Sequence, residues 1–440
     1  MKYDKFFELA KQAGIEDAEI YVSQSYDLSF SLFNGEVDKY SSSNGFSILA
    51  RGLYKGRFGS ASCDVWDKNK AAYLVKEIVT NAALSENDDP VFIFPGSPKY
   101  KRINTFNKDL ENVSIDQKMD NLFKLEKALK EYDPRISQVE EVGYEESKSV
   151  VTLMNSKGLK LNQKNNYYLY YGAVLAKEGE QTKSNFEMYF DNDFNKFDIN
   201  NLIDKVAKGA LDQLGGQPCP SGTYKAVISP DAFKSLVSFF IGQADAEEIQ
   251  KKSSFFIGKL NQKVASKKVT IMDMPVAKSL FARGFDDEGV ATQNRAIVKN
   301  GVLQTYLYNL TTAAKDGVET TGNARRGGTS MGASPFYLVV KPGKKSQEEL
   351  FKEVGDGVYI TEIGGLHSGL NAQSGNFSLV SGGFLIKDGK RDRGLDMITI
   401  SGNLKDVFND VVEIGNDSKI FASAISCPSV LIKKLAVAGK

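Results

Sequence analysis

Three dipeptides, Asn34-Gly35, Asn300-Gly301 and Asp388-Gly389, constrain this chain more than any other feature. Each follows an apolar stretch, alternating in Leu28-Ser-Phe-Ser-Leu-Phe and continuous in Ala296-Ile-Val and Gly383-Phe-Leu-Ile. A tight hairpin needs positive φ at both central positions, which Gly adopts freely and Asn or Asp at little cost. Antiparallel pairing is therefore expected in both halves of the chain. Helical periodicity lies between the strand signals, so the fold class is α+β: mixed, mainly antiparallel sheets with flanking helices, in two lobes.

The spacing predicts a short helix over 3–13 closed by Gly14, strands at Ala18-Glu-Ile-Tyr-Val-Ser, Leu28–Phe33 and Phe46–Arg51, and a turn at Lys55-Gly56. A helix follows over 68–84, where Ala71, Leu74, Val75, Ile78 and Ala82 recur at helical spacing. About 120 to 130 residues later the pattern returns. After a helix over 114–131, Val150–Asn155 resembles Leu28–Asn34, Tyr167–Ala176 resembles Phe46–Arg51, and a helix over 198–214 resembles the earlier one. The N-terminal half reads as an internal duplication, with units 1–98 and 99–219. Gly215-Gly-Gln-Pro-Cys-Pro-Ser-Gly-Thr puts Gly and Pro side by side and is the strongest break in the chain. An N-terminal α+β domain, 1–219, is thus separated from a β-rich C-terminal domain, 220–440. The second begins with Ala226-Val-Ile-Ser, a helix over 229–242 and a polar helical extension to Lys251.

Charge and histidine content narrow the function. Lys and Arg total 56 against 55 Asp and Glu, a net charge of +1. That balance argues against a nucleic-acid or anionic-membrane binder, which concentrates positive charge. A single His, His367, excludes any site built on two imidazoles. Cys63, Cys219 and Cys427 are odd in number and far apart, so they read as reduced thiols of a cytoplasmic protein and as neither a disulfide framework nor a Cys-x-x-Cys pair. No apolar run has the length of an export signal or a membrane span.

Two segments stand out as candidate sites. Gly364-Gly-Leu-His-Ser-Gly-Leu-Asn-Ala-Gln-Ser-Gly-Asn-Phe-Ser is too glycine-rich for a helix or core strand, and its backbone would be free to approach a ligand. Gly364, Gly365, His367, Gly369, Asn371, Ser374 and Asn376 are its candidate peptide-binding residues, by main-chain strand addition, which tolerates any sequence. The alternative is a structural turn carrying a surface imidazole. Asp286-Asp287-Glu288 packs three carboxylates into one short turn, which could hold Mg²⁺ or Ca²⁺, or be a solvated acidic turn. No Gly-Lys-Ser/Thr phosphate loop is present.

Longer blocks carry a family resemblance. Phe285-Asp-Asp-Glu-Gly-Val-Ala-Thr-Gln, Asn300-Gly-Val-Leu-Gln-Thr-Tyr-Leu-Tyr-Asn, Gly322-Asn-Ala, Gly375-Asn-Phe-Ser-Leu-Val-Ser-Gly-Gly-Phe and Ile398-Thr-Ile-Ser-Gly-Asn-Leu-Lys-Asp-Val-Phe resemble the C-terminal domain of the TldD/PmbA family, in the family's order. That family is also labelled a modulator of DNA gyrase. The resemblance implies a cytosolic metalloprotease of two subunits, in which a TldD-type chain holds zinc on a His-Glu-x-x-x-His helix and a later Cys, and a PmbA (TldE) chain lacks them. Counting back without gaps from Ser253-Ser-Phe-Phe-Ile-Gly-Lys-Leu-Asn puts the helix motif on Val237-Ser-Phe-Phe-Ile-Gly242, so Val237, Ser238 and Gly242 replace the ligands and the general base. The family's Cys-Gly-Lys-x-Gly-Gln loop is missing, and Cys427 falls a few residues too late to stand for it.

The chain therefore looks like a PmbA/TldE-type, non-catalytic subunit. No metal or cofactor is expected in it, with zinc in a TldD-like partner. An unfolded peptide is the expected substrate, and a homodimer the expected state when isolated. An autonomous hydrolase using His367 and Asp286–Glu288 is the alternative, and a gyrase-associated regulator a third reading that rests on the family label alone.

Overall fold

The computed structural model describes residues 3–86, 89–328 and 330–439. All three hairpin dipeptides turn as expected. Asn34 and Gly35, Asn300 and Gly301, and Asp388 and Gly389 all have positive φ, between 49° and 81°. They close hairpins in which Phe33 pairs with Glu36, Lys299 with Val302, and Lys387 with Lys390.

The N-terminal lobe is one six-stranded antiparallel sheet in the order Arg57–Cys63, Glu36–Tyr54, Asp17–Phe33, Ile136–Asn155, Lys160–Glu178, Gln181–Asp191. The two strand signals at 18–23 and 28–33 are one continuous strand, because Leu28, Phe30 and Leu32 keep the inward alternation going through the polar stretch between them. A helix–three strands–helix unit occurs twice. Helix Asp4–Gln12, three strands and helix Lys70–Leu84 are followed by helix Ile115–Glu131, three strands and helix Ile199–Leu211. The two units meet where Asp17–Phe33 pairs with Ile136–Asn155, from Glu19–Asn155 to Leu32–Val142. Each pair of helices covers one end of the same sheet. Phe6, Leu74 and Ile78 fill one core, and Leu122, Leu125, Val206, Tyr144, Tyr168 and Tyr170 fill the other.

The C-terminal lobe contains a closed barrel. Strands Gly222–Ile228, Gly357–Gly364, Asn376–Lys387, Lys390–Asn403 and Val430–Ala438 pair in sequence, and the fourth returns to the fifth through Thr399–Ala438. Only the pairing of Gly222–Ile228 with Gly357–Gly364 is parallel within that ring. A second six-stranded sheet runs from Val302–Leu303 to Lys419–Phe421. Helix Pro230–Gly242 lies in the core shared by the barrel and this sheet. The expected polar extension to Lys251 is a separate helix, Ala246–Gln250, with its own Asp245 cap accepting from the Glu247 N–H.

Candidate functional site

Helix Pro230–Gly242 starts where sequence says it should: Ser229 caps it by accepting the Ala232 N–H at 3.2 Å, and Pro230 fills the first turn, where its missing N–H costs nothing. Phe233, Leu236, Val237, Phe240 and Ile241 are fully buried, and the Phe240 ring stacks on Phe408 at 3.8 Å. At about 2 kcal/mol per buried side chain, this face anchors the helix. The opposite face is open. Ser235, Ser238, Phe239 and Gly242 line a cavity of about 570 Å³, with Leu366 and Ile425 among its other walls.

The three positions at which the zinc motif was expected therefore part company. Val237 points into the core, whereas Ser238 and Gly242 are exposed on the cavity side. Nothing lies within 4 Å of a Cβ built on Gly242, so the cavity has room there. A hydrolytic zinc takes three nitrogen, sulfur or carboxylate ligands and leaves a position for water. A valine, a serine and a glycine do not fit it. Cys427 cannot complete such a set. Its thiol is buried and donates to the Pro230 carbonyl at 3.4 Å, about 10 Å along the helix from Val237. Burial pushes the Cys427 thiol up to about 12. Among the described residues no group of three or more His, Cys, Asp or Glu side chains is arranged to hold a metal ion.

The 364–378 segment is more regular than its composition suggests. Gly364 ends a strand, Leu366–Gly369 forms one helical turn, and Asn376 begins the next strand. Most of its amides are used internally. Gly369 N–H donates to the Gly365 carbonyl at 2.7 Å, Asn371 N–H to Asn376 at 2.8 Å, and Gly375 N–H to Asn371 at 2.8 Å. Asn371 Oδ1 accepts from Ser374 N–H, and Ser374 Oγ from Asn376 N–H. A Cβ on Gly369 would sit 2.3 Å from the Ser378 carbonyl oxygen, so that glycine serves close packing of the segment on its own strand. His367 is exposed and makes no hydrogen bond or ion pair among the described residues. Leu366 is the residue that brings this segment to the cavity beside Ser238 and Gly242.

Asp286, Asp287 and Glu288 correct both readings of the acidic turn. They are 0%, 5% and 2% exposed, so the turn is not solvated, and their oxygens are taken up by amides and guanidinium groups. Asp286 accepts the N–H groups of Glu288, Val290 and Ala324 at 2.9 to 3.0 Å. Asp287 accepts from the Tyr21 hydroxyl at 2.8 Å, the Arg326 N–H at 2.8 Å and the Arg283 guanidinium. Glu288 accepts the Leu310 N–H at 2.8 Å and faces Arg51 at 3.9 Å. Arg51 and Arg326 both donate to Glu19, at 2.8 and 3.2 Å. Burial and the neighbouring Glu288 push the Asp286 carboxyl up, while Arg283 and Arg326 hold Asp287 low against its own burial. The cluster joins the two lobes: Glu19, Tyr21 and Arg51 belong to the N-terminal sheet. Gly289, at φ 86°, comes so close to that sheet that a Cβ would strike Leu159 at 2.7 Å. No contact among the described residues links this cluster to His367.

A longer trough went unread in the sequence. Next to the first cavity, and sharing Lys234 and Ser423 with it, a second of about 260 Å³ runs between Phe186–Phe190 and Lys419–Ser423. A third, of about 550 Å³, shares Met188, Phe190, Lys419 and Ile420 with it. The sequence signal was the apolar alternation Phe186, Met188, Phe190 on the strand Gln181–Asp191, of which Phe186 and Met188 are exposed. Among the described residues no helix is long and apolar enough to cross a membrane.

Comparison with known proteins agrees with this geometry along the whole chain. Family profiles described as PmbA/TldA metallopeptidase domain 1, central domain and C-terminal domain match residues 18–82, 108–214 and 221–439. Metalloprotease PmbA of Escherichia coli O157:H7 is 25% identical over 433 residues, covering 97% of this chain and 93% of the relative. A PmbA homolog of Buchnera aphidicola is 27% identical over 433 residues, covering 96% and 93%. Among solved structures, a candidate modulator of DNA gyrase from Thermotoga maritima superposes with a TM-score of 0.92 at 32% identity, covering 99% of both chains. TldE from Thermococcus kodakarensis shares the fold, with a TM-score of 0.91 at 22% identity over all of both chains.

Proposed function

Since this chain belongs to the PmbA/TldD metallopeptidase family, we propose that it is a PmbA/TldE-type subunit that pairs with a TldD-like chain and handles unfolded peptide without cutting it. The observation that carries the reading is the fate of helix Pro230–Gly242. Its aromatic face is committed to the core, Val237 with it, and of the three motif positions only Ser238 and Gly242 face the cavity, neither of them a zinc ligand. Hydrolysis at zinc needs a metal-bound water and a carboxylate to take its proton. In this reading both come from the partner, in the cytoplasm, and the isolated chain pairs with itself through the surface that the partner would cover.

Leu366 is the residue through which the 364–378 segment serves peptide, because it is the one that reaches the cavity. Of the other candidates there, Gly369, Asn371, Ser374 and Asn376 support the turn that presents it. The test is reconstitution. This chain and a TldD-type chain, co-expressed, are expected to co-purify and to degrade casein in a chelator-sensitive way, and Leu366→Asp to slow degradation at least tenfold while leaving co-purification intact. Casein cleavage by the purified single chain, insensitive to chelator, would overturn the reading in favour of an autonomous hydrolase.

A further inference from the structure

The 550 Å³ cavity lies between strand Gln181–Asp191 and the C-terminal lobe and is aromatic at its floor and cationic at its rim. Phe190, Phe281 and Tyr337 form a chain of rings with centroids 6.0 and 5.4 Å apart, flanked by Met188 and Ile420. Four lysines reach it. Lys196 is neutralised by Asp191 at 3.5 Å and Asp193 at 3.8 Å, and Lys419 by Glu187 at 3.1 Å and Asp231 at 2.8 Å. Lys205 and Lys278 line the same cavity, are exposed, and have no carboxylate partner among the described residues. The Ser279 hydroxyl, also at the wall, is buried and has no hydrogen-bond partner there. Two uncompensated ammonium groups and an unused hydroxyl above an aromatic floor call for an anion joined to an apolar ring.

The wall supplies a further requirement. Met188, Tyr189, Phe190, Asp191 and Asn192 line the cavity consecutively, although neighbouring side chains of a strand point to opposite faces. The cavity therefore borders the edge of that strand. Among the described residues strand Gln181–Asp191 pairs only with Lys160–Glu178 and ends the sheet, so its outer edge offers main-chain donors and acceptors.

We infer that this cavity takes the C-terminal end of a peptide, its free carboxylate between Lys205 and Lys278 and its last, aromatic side chain on Phe190, Phe281 and Tyr337. The inference rests on the reading of the chain as a peptide-handling subunit and gives that subunit a preference: free ends with a terminal aromatic residue. Titration calorimetry on the full chain uses acetyl-Gly-Gly-Gly-Phe as the free acid, the same peptide as its C-terminal amide, and acetyl-Gly-Gly-Gly-Gly as the free acid. The Phe acid is expected to bind at least tenfold more tightly than either of the others, and more weakly as salt is raised. Lys205→Glu with Lys278→Glu, both at exposed positions, should abolish the preference for acid over amide, and Phe281→Ala the preference for Phe over Gly. Equal binding of acid and amide, equal binding of the Phe and Gly acids, or no binding of any of the three overturns the inference. If casein degradation by the reconstituted pair persists in that event, the subunit reading stands alone; if the chain binds the Phe acid but never pairs with a TldD-type chain, the subunit reading is the one that falls.

Discussion

The Tyr21 hydroxyl donates a 2.8 Å hydrogen bond to Asp287, which lies 266 residues further along the chain, and so ties the N-terminal sheet to the C-terminal lobe. The Arg326 guanidinium lies over the Tyr21 ring at 4.9 Å, so the phenol is held from two sides. Tyr21→Phe keeps the ring and removes the donor. It is expected to cost about 1.5 to 3 kcal/mol, the range for a hydrogen bond to a charged group. Asp287 is held low in the folded state, so its contribution is full above the unfolded carboxylate range and is lost as pH falls through the folded value. The gap between wild type and Tyr21→Phe in urea unfolding should therefore be wider at pH 7 than at pH 3. An equal gap at both values would mean that the hydrogen bond does not depend on the charge of Asp287.

Asp245 predicts the opposite pH dependence. Burial pushes its carboxyl up to about 6 while it caps helix Ala246–Gln250. Between the unfolded value of about 4 and the folded value, the native state keeps a proton that the unfolded chain has released, so stability falls as pH rises through that window. Asp245→Asn retains an oxygen for the Glu247 N–H and carries no charge. It should be more stable than wild type at pH 7, by about 1 kcal/mol or more, and no more stable at pH 4. A variant less stable than wild type at pH 7 would show that the cap needs the ionised group.

Substitutions on helix Pro230–Gly242 should divide by face. Val237→His buries an imidazole among Phe and Leu side chains and is expected to cost at least about 2 kcal/mol. Gly242→Ala meets open space and lowers the entropy of the unfolded chain, for a gain of up to about 1 kcal/mol. Thermal denaturation of the two variants decides the matter: similar melting temperatures would mean that Val237 and Gly242 share an environment.

The thiols offer a chemical check. Cys219 and Cys427 are buried, and Cys63 is half-exposed at the end of strand Arg57–Cys63. At pH 8 a disulfide reagent should label no more than Cys63 in the native chain and all three cysteines in guanidinium. Rapid native labelling of Cys427 would contradict its packing against the Pro230 carbonyl.

Local signals carried the fold well. Asn-Gly and Asp-Gly turns, helix caps such as Ser229-Pro230, and the repeated strand–turn–strand–helix pattern all act over a few residues, and each appears where its residues place it. Burial set by distant partners was not legible. Asp286-Asp287-Glu288 reads as a solvated turn because Tyr21, Glu19 and Arg51, which meet it, are more than 230 residues away. The glycines of 364–378 likewise read as open backbone, although Gly369 is small because the Ser378 carbonyl lies against it. The trough was missed for a related reason. It exists only where a sheet edge from one lobe faces Phe281, Tyr337 and Ile420 from the other.

The order in which the barrel strands occur along the chain bears on how this protein is made. Strand Val430–Ala438 pairs with both Gly222–Ile228 and Lys390–Asn403, and the ring stays open until it arrives. A ribosome releases the chain from its N-terminus onward, so the N-terminal sheet, complete by Asp191, can form while synthesis continues. The C-terminal lobe cannot. Until the last strand emerges, Gly222–Ile228 and Lys390–Asn403 present bare edges, and helix Pro230–Gly242 has only part of its apolar cover. Over that interval the nascent chain is most exposed to chaperones and to aggregation, and a truncation just before Val430 would leave it there permanently.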